Sequence, residues 1–155
     1  MKTTSLLLAA IFSLLASPSF ADQPAAPTVR SVIAKDIKWA DQAGMPKGVQ
    51  SSLVFGDPKV GPFIVLLKIP AGTTIMPHRH SAEEVATVIS GTLEFGTGDK
   101  IDMAKATKIA AGGYVDVPAK TAHWARAQTE VITVRFANGP GDISYVDPKD
   151  DPRNK

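Results

Sequence analysis

The chain has 155 residues, 44% of them hydrophobic and 21% charged, with 12 Gly and 12 Pro, a length and turn content that suit one all-β domain better than a helical bundle. It has no cysteine, which excludes both a disulfide scaffold and a lipoprotein anchored through an N-terminal cysteine. A formal net charge of +2, with the basic residues scattered and not striped, argues against nucleic acid or an anionic membrane as partner.

In chain order, Met1-Lys2 is a short basic start, Leu6 to Leu15 is apolar, and Ser19-Phe20-Ala21 ends in small residues, the pattern of a secretory signal peptide cleaved after Ala21. This ten-residue stretch, apolar except for Ser13, falls short of the roughly 20 residues needed to span a bilayer. The expectation is therefore a signal peptide over 1–21, a mature chain from Asp22 with net charge near +1 once Lys2 is lost, and a periplasmic or secreted location. Asp22 to Thr28 carries two prolines and reads as a linker.

Strand-like runs then follow at 29–34, 49–55, 63–69, 84–89, 92–95, 105–109, 114–117, 123–127, 131–136 and 143–146. Each is short and bounded by Gly, Pro, Asp or Asn. The expected domain spans 29–146. Trp39 to Gly48 is the one connection long enough for a helical turn or a lid, and 147–155, with alternating charges around Pro148 and Pro152, reads as a solvated tail.

The three histidines all fall in two motifs, Gly72-x5-His78-Arg79-His80-x3-Glu84-x6-Gly91 and Gly112-x5-Pro118-Ala119-Lys120-x2-His123. Imidazoles at i and i+2 share one side of an extended strand and can grip one ion. Glu84 stands past enough chain to turn a corner and can face inward from a neighbouring strand. His123 has to arrive from a distant strand through the fold. By strand parity Thr74 and Met76 share a face with His78 and His80. Ala86, Val88 and Ser90 share one with Glu84, and Thr121, Ala125 and Ala127 one with His123. Arg79, Trp124 and Arg126 face the other way. Glu83 reads as a solvated neighbour. Arg135 and Tyr114 are candidates to hydrogen-bond a substrate, though a surface role fits them equally. No residue is assigned as catalytic.

With these motifs the chain resembles the cupin superfamily, whose patterns are G-x5-H-x-H-x3,4-E-x6-G and G-x5-P-x-G-x2-H-x3-N. The first matches at every fixed position. The second departs twice, with Lys120 in place of glycine and Ala127 in place of asparagine, neither a ligand position. Over about 49–137 the resemblance implies a cupin-type jelly-roll (double-stranded β-helix) barrel holding one mononuclear metal on His78, His80, Glu84 and His123, and family habit implies a homodimer.

Three imidazoles and one carboxylate suit Mn²⁺, Fe²⁺, Co²⁺, Ni²⁺, Cu²⁺ or Zn²⁺, and the lack of thiolate disfavours Cu⁺ and structural zinc. Four protein ligands on an octahedral ion leave two positions for water, O₂ or a bidentate small-molecule substrate. The expected function is a metal-dependent small-molecule oxidoreductase of the oxygenase or oxidase kind. An isomerase or decarboxylase is an alternative within enzymes, and a non-catalytic metal-binding or ligand-sensing module one outside them. A sugar-binding or storage role is disfavoured by small size and 6% aromatic residues.

Overall fold

The computed structural model describes residues 29–155; the expected signal peptide (1–21) and linker (22–28) lie outside them. Among the described residues, β1 (Ala40–Asp41), β2 (Gln50–Gly56), β3 (Pro62–Ile69), β4 (Thr74–Arg79), β5 (Glu84–Ser90), β6 (Thr92–Thr97), β7 (Thr107–Ala110), β8 (Tyr114–Val117), β9 (His123–Ala127), β10 (Val131–Asn138) and β11 (Ser144–Tyr145) are joined by turns and short 3₁₀ segments. They form a six-stranded sheet, β1-β2-β3-β10-β5-β8, and a five-stranded sheet, β11-β4-β9-β6-β7, with antiparallel pairing throughout. From β3 to β6 and again from β7 to β10 the chain changes sheet at nearly every connection, the winding of a jelly roll.

Both inner faces contribute to one apolar core. Leu67, Ile69, Val88 and Val131 come from the first sheet, and Ile75, Leu93, Ile109, Ala125 and Ala127 from the second, with Met45 and Val49 closing the end. Burying this continuous cluster is the main favourable term holding the sheets together. The polar interior residues His78, Glu84, His123 and Thr133 lie on the same inner faces beside it.

Several expectations meet a different structure. Residues 29–33 form no strand, and a 3₁₀ turn follows at Ala34–Asp36. The stretch from Trp39 to Gly48 carries no helix; it holds β1 and tight turns. The segment from 147 onward is exposed to partly buried and locally ordered. Asp147 and Asp151 cap two 3₁₀ turns by accepting from Lys149 N (2.9 Å) and Arg153 N (3.0 Å), and Arg153 Nη2 donates to Ile143 O at 3.1 Å. The strand β4 is not among the apolar runs, because Pro77, His78 and Arg79 interrupt its pattern.

The same strand breaks simple parity. Ile75 pairs with Ala125 but His78 pairs with His123, so β4 contains one extra residue between these pairs, a bulge that also accommodates Pro77. Ile75 therefore shares the interior with His78 and is 4% exposed, where alternation assigned that face to Thr74 and Met76. On β9 alternation holds, and Ala125 and Ala127 face inward beside His123. Trp124 does point away from His123, yet it is fully buried, lying against Gly96 across the β6–β9 ladder. A Cβ on Gly96 would stand 2.4 Å from Trp124 Cζ2.

Candidate metal centre

Three elements bring the histidines together. The β4–β9 ladder sets His78 directly opposite His123, with ring centroids 4.2 Å apart. His80 comes just after β4, with its ring 5.0 Å from His78 and 5.3 Å from His123. One ring nitrogen from each lies within 4.8 Å of the other two.

Every Nδ1 is already committed. His78 Nδ1 meets Met76 O at 2.8 Å, His123 Nδ1 meets Thr121 O at 3.0 Å, and His80 Nδ1 meets Asp142 O. A carbonyl oxygen only accepts, so each Nδ1 carries the proton and each Nε2 keeps its lone pair. Second contacts of this kind fix tautomer and ring orientation at metal-binding histidines. Asp142 is itself held, its Oδ1 accepting from Ser81 N and Ser81 Oγ at 2.9 Å each. Its part in orienting His80 had no signal in the sequence, since it sits in an ordinary turn far from both motifs.

The rings are kept neutral. Burial, then the neighbouring His123 and His80, pushes His78 down to about 2, and burial followed by the charge of Arg135 brings His80 down to about 3. Burial lowers His123 as well. Three neutral, oriented imidazoles are the form in which histidine binds a metal, so the donor set fits a divalent transition ion.

Glu84 opens β5 and is buried. Its Oε2 lies 3.2 Å from His80 Nε2 and accepts a close hydrogen bond from Arg135 Nη2. Arg135 reaches it diagonally across the β5–β10 ladder, where Glu84 pairs with Ala137 and Arg135 with Ala86. The same Nη2 lies 3.2 Å from His80 Nε2. Burial lowers Arg135 to about 10, which leaves it charged at neutral pH. Glu84 thus stands at the edge of the histidine cluster, shared between His80 and Arg135. Glu83 is exposed. Of the two substrate-contact candidates, Arg135 turns inward and Tyr114 is 69% exposed and lines neither cavity at the centre.

Those cavities adjoin the cluster. A chamber of about 40 Å³ is lined by His78, His123, Glu84, Thr133 and Arg135 among others. A larger one, of about 380 Å³, falls within the range of small-molecule sites. His80, Glu84 and Arg135 form its polar end, and Leu53, Phe63 and Val65 are part of its apolar wall.

No curated protein matches the sequence closely enough to count as a relative. The fold is shared with an RmlC-like cupin protein from Ralstonia eutropha JMP134, at 23% identity, TM-score 0.61, and coverage of 80% of this chain and 76% of that one. It is also shared with the polyketide cyclase RemF from Streptomyces resistomycificus, at 14% identity, TM-score 0.64, covering 81% and 90%. The salicylate 1,2-dioxygenase of Pseudoaminobacter salicylatoxidans matches at 19% identity and TM-score 0.54, over 64% of this chain and 27% of that longer one. The sequence model described as "Cupin domain" matches residues 65–138, the stretch from β3 to the end of β10 that carries His78, His80, Glu84, His123 and Arg135. With the two-sheet jelly roll, the histidine cluster inside it and this match in agreement, residues 65–138 form a cupin domain.

Proposed function

We propose that the protein is a mononuclear metal-dependent enzyme acting on a small molecule by oxygenase- or oxidase-like chemistry, with the metal held by His78, His80, His123 and Glu84. The observation that carries this reading is the convergence of three neutral imidazoles, each locked through Nδ1 to a backbone carbonyl, at the polar end of a substrate-sized cavity. A structural metal needs no such opening. When bound there, a redox-active divalent ion would supply Lewis acidity and one-electron chemistry. The chain's own groups do the rest. The Met76, Thr121 and Asp142 carbonyls hold the rings in register, Arg135 balances the Glu84 carboxylate, and the apolar walls exclude water from the reacting centre. Among similar folds, the dioxygenase and the cyclase illustrate that this barrel hosts different reactions, so an isomerase or decarboxylase is the alternative within enzymes.

The ionisable groups lining the cavity are all committed, His80 and Glu84 to the proposed metal, Arg135 to Glu84, Asp142 to Ser81 and Arg153 to Asp151, which favours a second reading, a non-catalytic module that binds a metal or a small ligand. Metal analysis followed by O₂ consumption with thiols, diketones and catechols separates the two. Oxygen uptake that depends on both metal and substrate supports the enzyme, and ligand binding without turnover supports the module.

We further propose export after cleavage at Ala21, for which a mature N-terminus at Asp22 in the native host is the check. The homodimer reading is supported by an apolar row on the outer face of the six-stranded sheet. Phe55 and Phe136 flank Ile64, and Val85 follows Phe136; both phenylalanines are about half exposed. Light scattering on the wild type and on Phe136→Glu tests it, with a dimer converted to monomer as the expected result.

A further inference from the structure

The larger cavity carries a chemical preference in its lining. Arg135 is the guanidinium at its inner end, and its side chain is 13% exposed. Among the described residues its hydrogen bonds run through Nη2 alone, to Glu84 and to His80. Nε and Nη1, with three N–H groups between them, meet no partner in a cavity that Arg135 lines. A second donor stands beside it on the same inward face of β10. The Thr133 hydroxyl is buried without a hydrogen-bond partner and lines the inner chamber with His78, His123, Glu84 and Arg135. Unpaired buried donors are costly and rare, and at a cavity they mark where a ligand's acceptor oxygens go.

Charge points the same way. Arg135 and Glu84 cancel, the imidazoles are neutral and Asp142 adds one negative charge beside His80, so a divalent ion would still leave the polar end with one net positive charge that an anionic ligand completes. Beyond this end Leu53, Phe63, Val65, Pro140 and Ile143 form an apolar stretch of wall; the other charged groups of the lining are engaged, Arg153 with Asp151 and Asp142 with Ser81. We propose that the cavity selects a small monocarboxylate with an apolar body, its carboxylate oxygens accepting from the free N–H groups of Arg135 and its body lying on that wall. Arg135 is then the residue that determines specificity, since a planar fork meets a carboxylate with directed paired bonds that a lysine ammonium does not match.

This rests on the proposed reading of the cavity as a substrate site, and the test keeps the two apart. Titration calorimetry on the full mature chain, both metal-loaded and treated with a chelator, would use benzoate, benzyl alcohol and acetate as probes. The expected result is that benzoate binds more tightly than benzyl alcohol, which lacks the charge, and than acetate, which lacks the body. In Arg135→Gln, benzoate should lose roughly ten- to a hundred-fold in affinity, the worth of hydrogen bonds to a charged group, with benzyl alcohol little changed. Arg135→Lys should recover only part of the loss. Because Arg135→Gln leaves Glu84 buried without its partner, the Arg135→Gln/Glu84→Gln double variant, neutral and of similar shape, provides the same comparison in a protein with balanced charge. The Arg135 dependence should persist in chelator-treated protein, so it would survive a failure of the metal assignment. Benzoate binding no tighter than benzyl alcohol or acetate, or equal in wild type and both Arg135→Gln backgrounds, overturns the proposal.

Discussion

Replacing Glu84 with Gln probes stability and metal preference at once. The side chains of Glu84 and its partner Arg135 are 11% and 13% exposed, so the change keeps shape but leaves a largely buried guanidinium without a counter-charge. Breaking one side of a buried pair costs about 3–5 kcal/mol. Gln Oε1 still accepts a hydrogen bond from Arg135, which places the expected loss near the lower figure, about 3 kcal/mol. For a domain of this size that lowers Tm by roughly 10 °C. Metal binding should change in a graded way. Mn²⁺ and Fe²⁺, which favour oxygen ligands, should weaken more than Zn²⁺ or Cu²⁺, which three imidazoles already satisfy. Glu83→Gln, at an exposed position, should alter neither quantity. Melting curves with calorimetric titration of each ion provide both readouts. An unchanged Tm would show that the Glu84–Arg135 pair is not a buried ion pair, and equal effects of Glu83 and Glu84 substitution on Mn²⁺ would remove Glu84 from the ligand set.

Acid should unfold the domain in a defined window. His78 and His80 titrate at about 2 and about 3 in the fold against 6.5 in the unfolded chain, so below that value the unfolded state binds more protons and stability falls with pH. Their contribution is fully present above pH 6.5 and is lost as pH drops toward 3, at up to about 1.4 kcal/mol per pH unit for each histidine; a flat denaturation midpoint between pH 7 and pH 4 would contradict it. Gly96→Ala should cost about 1–3 kcal/mol by overpacking against Trp124, seen as a lower Tm and altered tryptophan fluorescence, and an unchanged melt would mean that the indole does not occupy that space. Lys120 is the one described non-glycine residue with positive φ, at 64°, in the turn closed by Thr121 N on Pro118 O at 3.1 Å. Relieving it by Lys120→Gly should stabilise by about 0.5–1 kcal/mol after the entropy of the added glycine is counted, and a lower Tm would count against strain at this turn.

Much of this was legible because strand periodicity and turn chemistry are local. The strands β3, β5, β8, β9 and β10 lie within a residue or two of runs read from alternating apolar residues and their Gly, Pro and Asp boundaries, and the spacing of His78 and His80 placed both on one side of an extended segment. The family resemblance brought His123 to the same cluster. What stayed hidden depends on tertiary context. The bulge between Ile75 and His78 inverts parity at a point where the sequence shows only a proline. Trp124 obeys alternation and is buried all the same, because Gly96 leaves the volume beside it free. Arg135, a substrate-contact candidate that the sequence does not separate from a surface residue, reshapes the site. Only the β5–β10 register shows that it reaches Glu84, and only the fold brings Asp142, 62 residues along the chain, to His80 Nδ1. The positive φ of Lys120 answers the departure from glycine in the second motif, since the turn keeps its shape at a conformational cost.

The proposed function depends on one divalent metal being held by the histidine cluster. Elemental analysis of the purified protein, compared with His78→Ala, His80→Ala and His123→Ala, is the measurement that decides it. The account predicts about one transition-metal ion per wild-type chain, sharply reduced occupancy in all three variants, and a wild-type Tm that rises when metal is restored after chelation, because binding to the folded state adds RT ln(1 + [L]/Kd). Full metal content and unchanged melting in the three variants would contradict it.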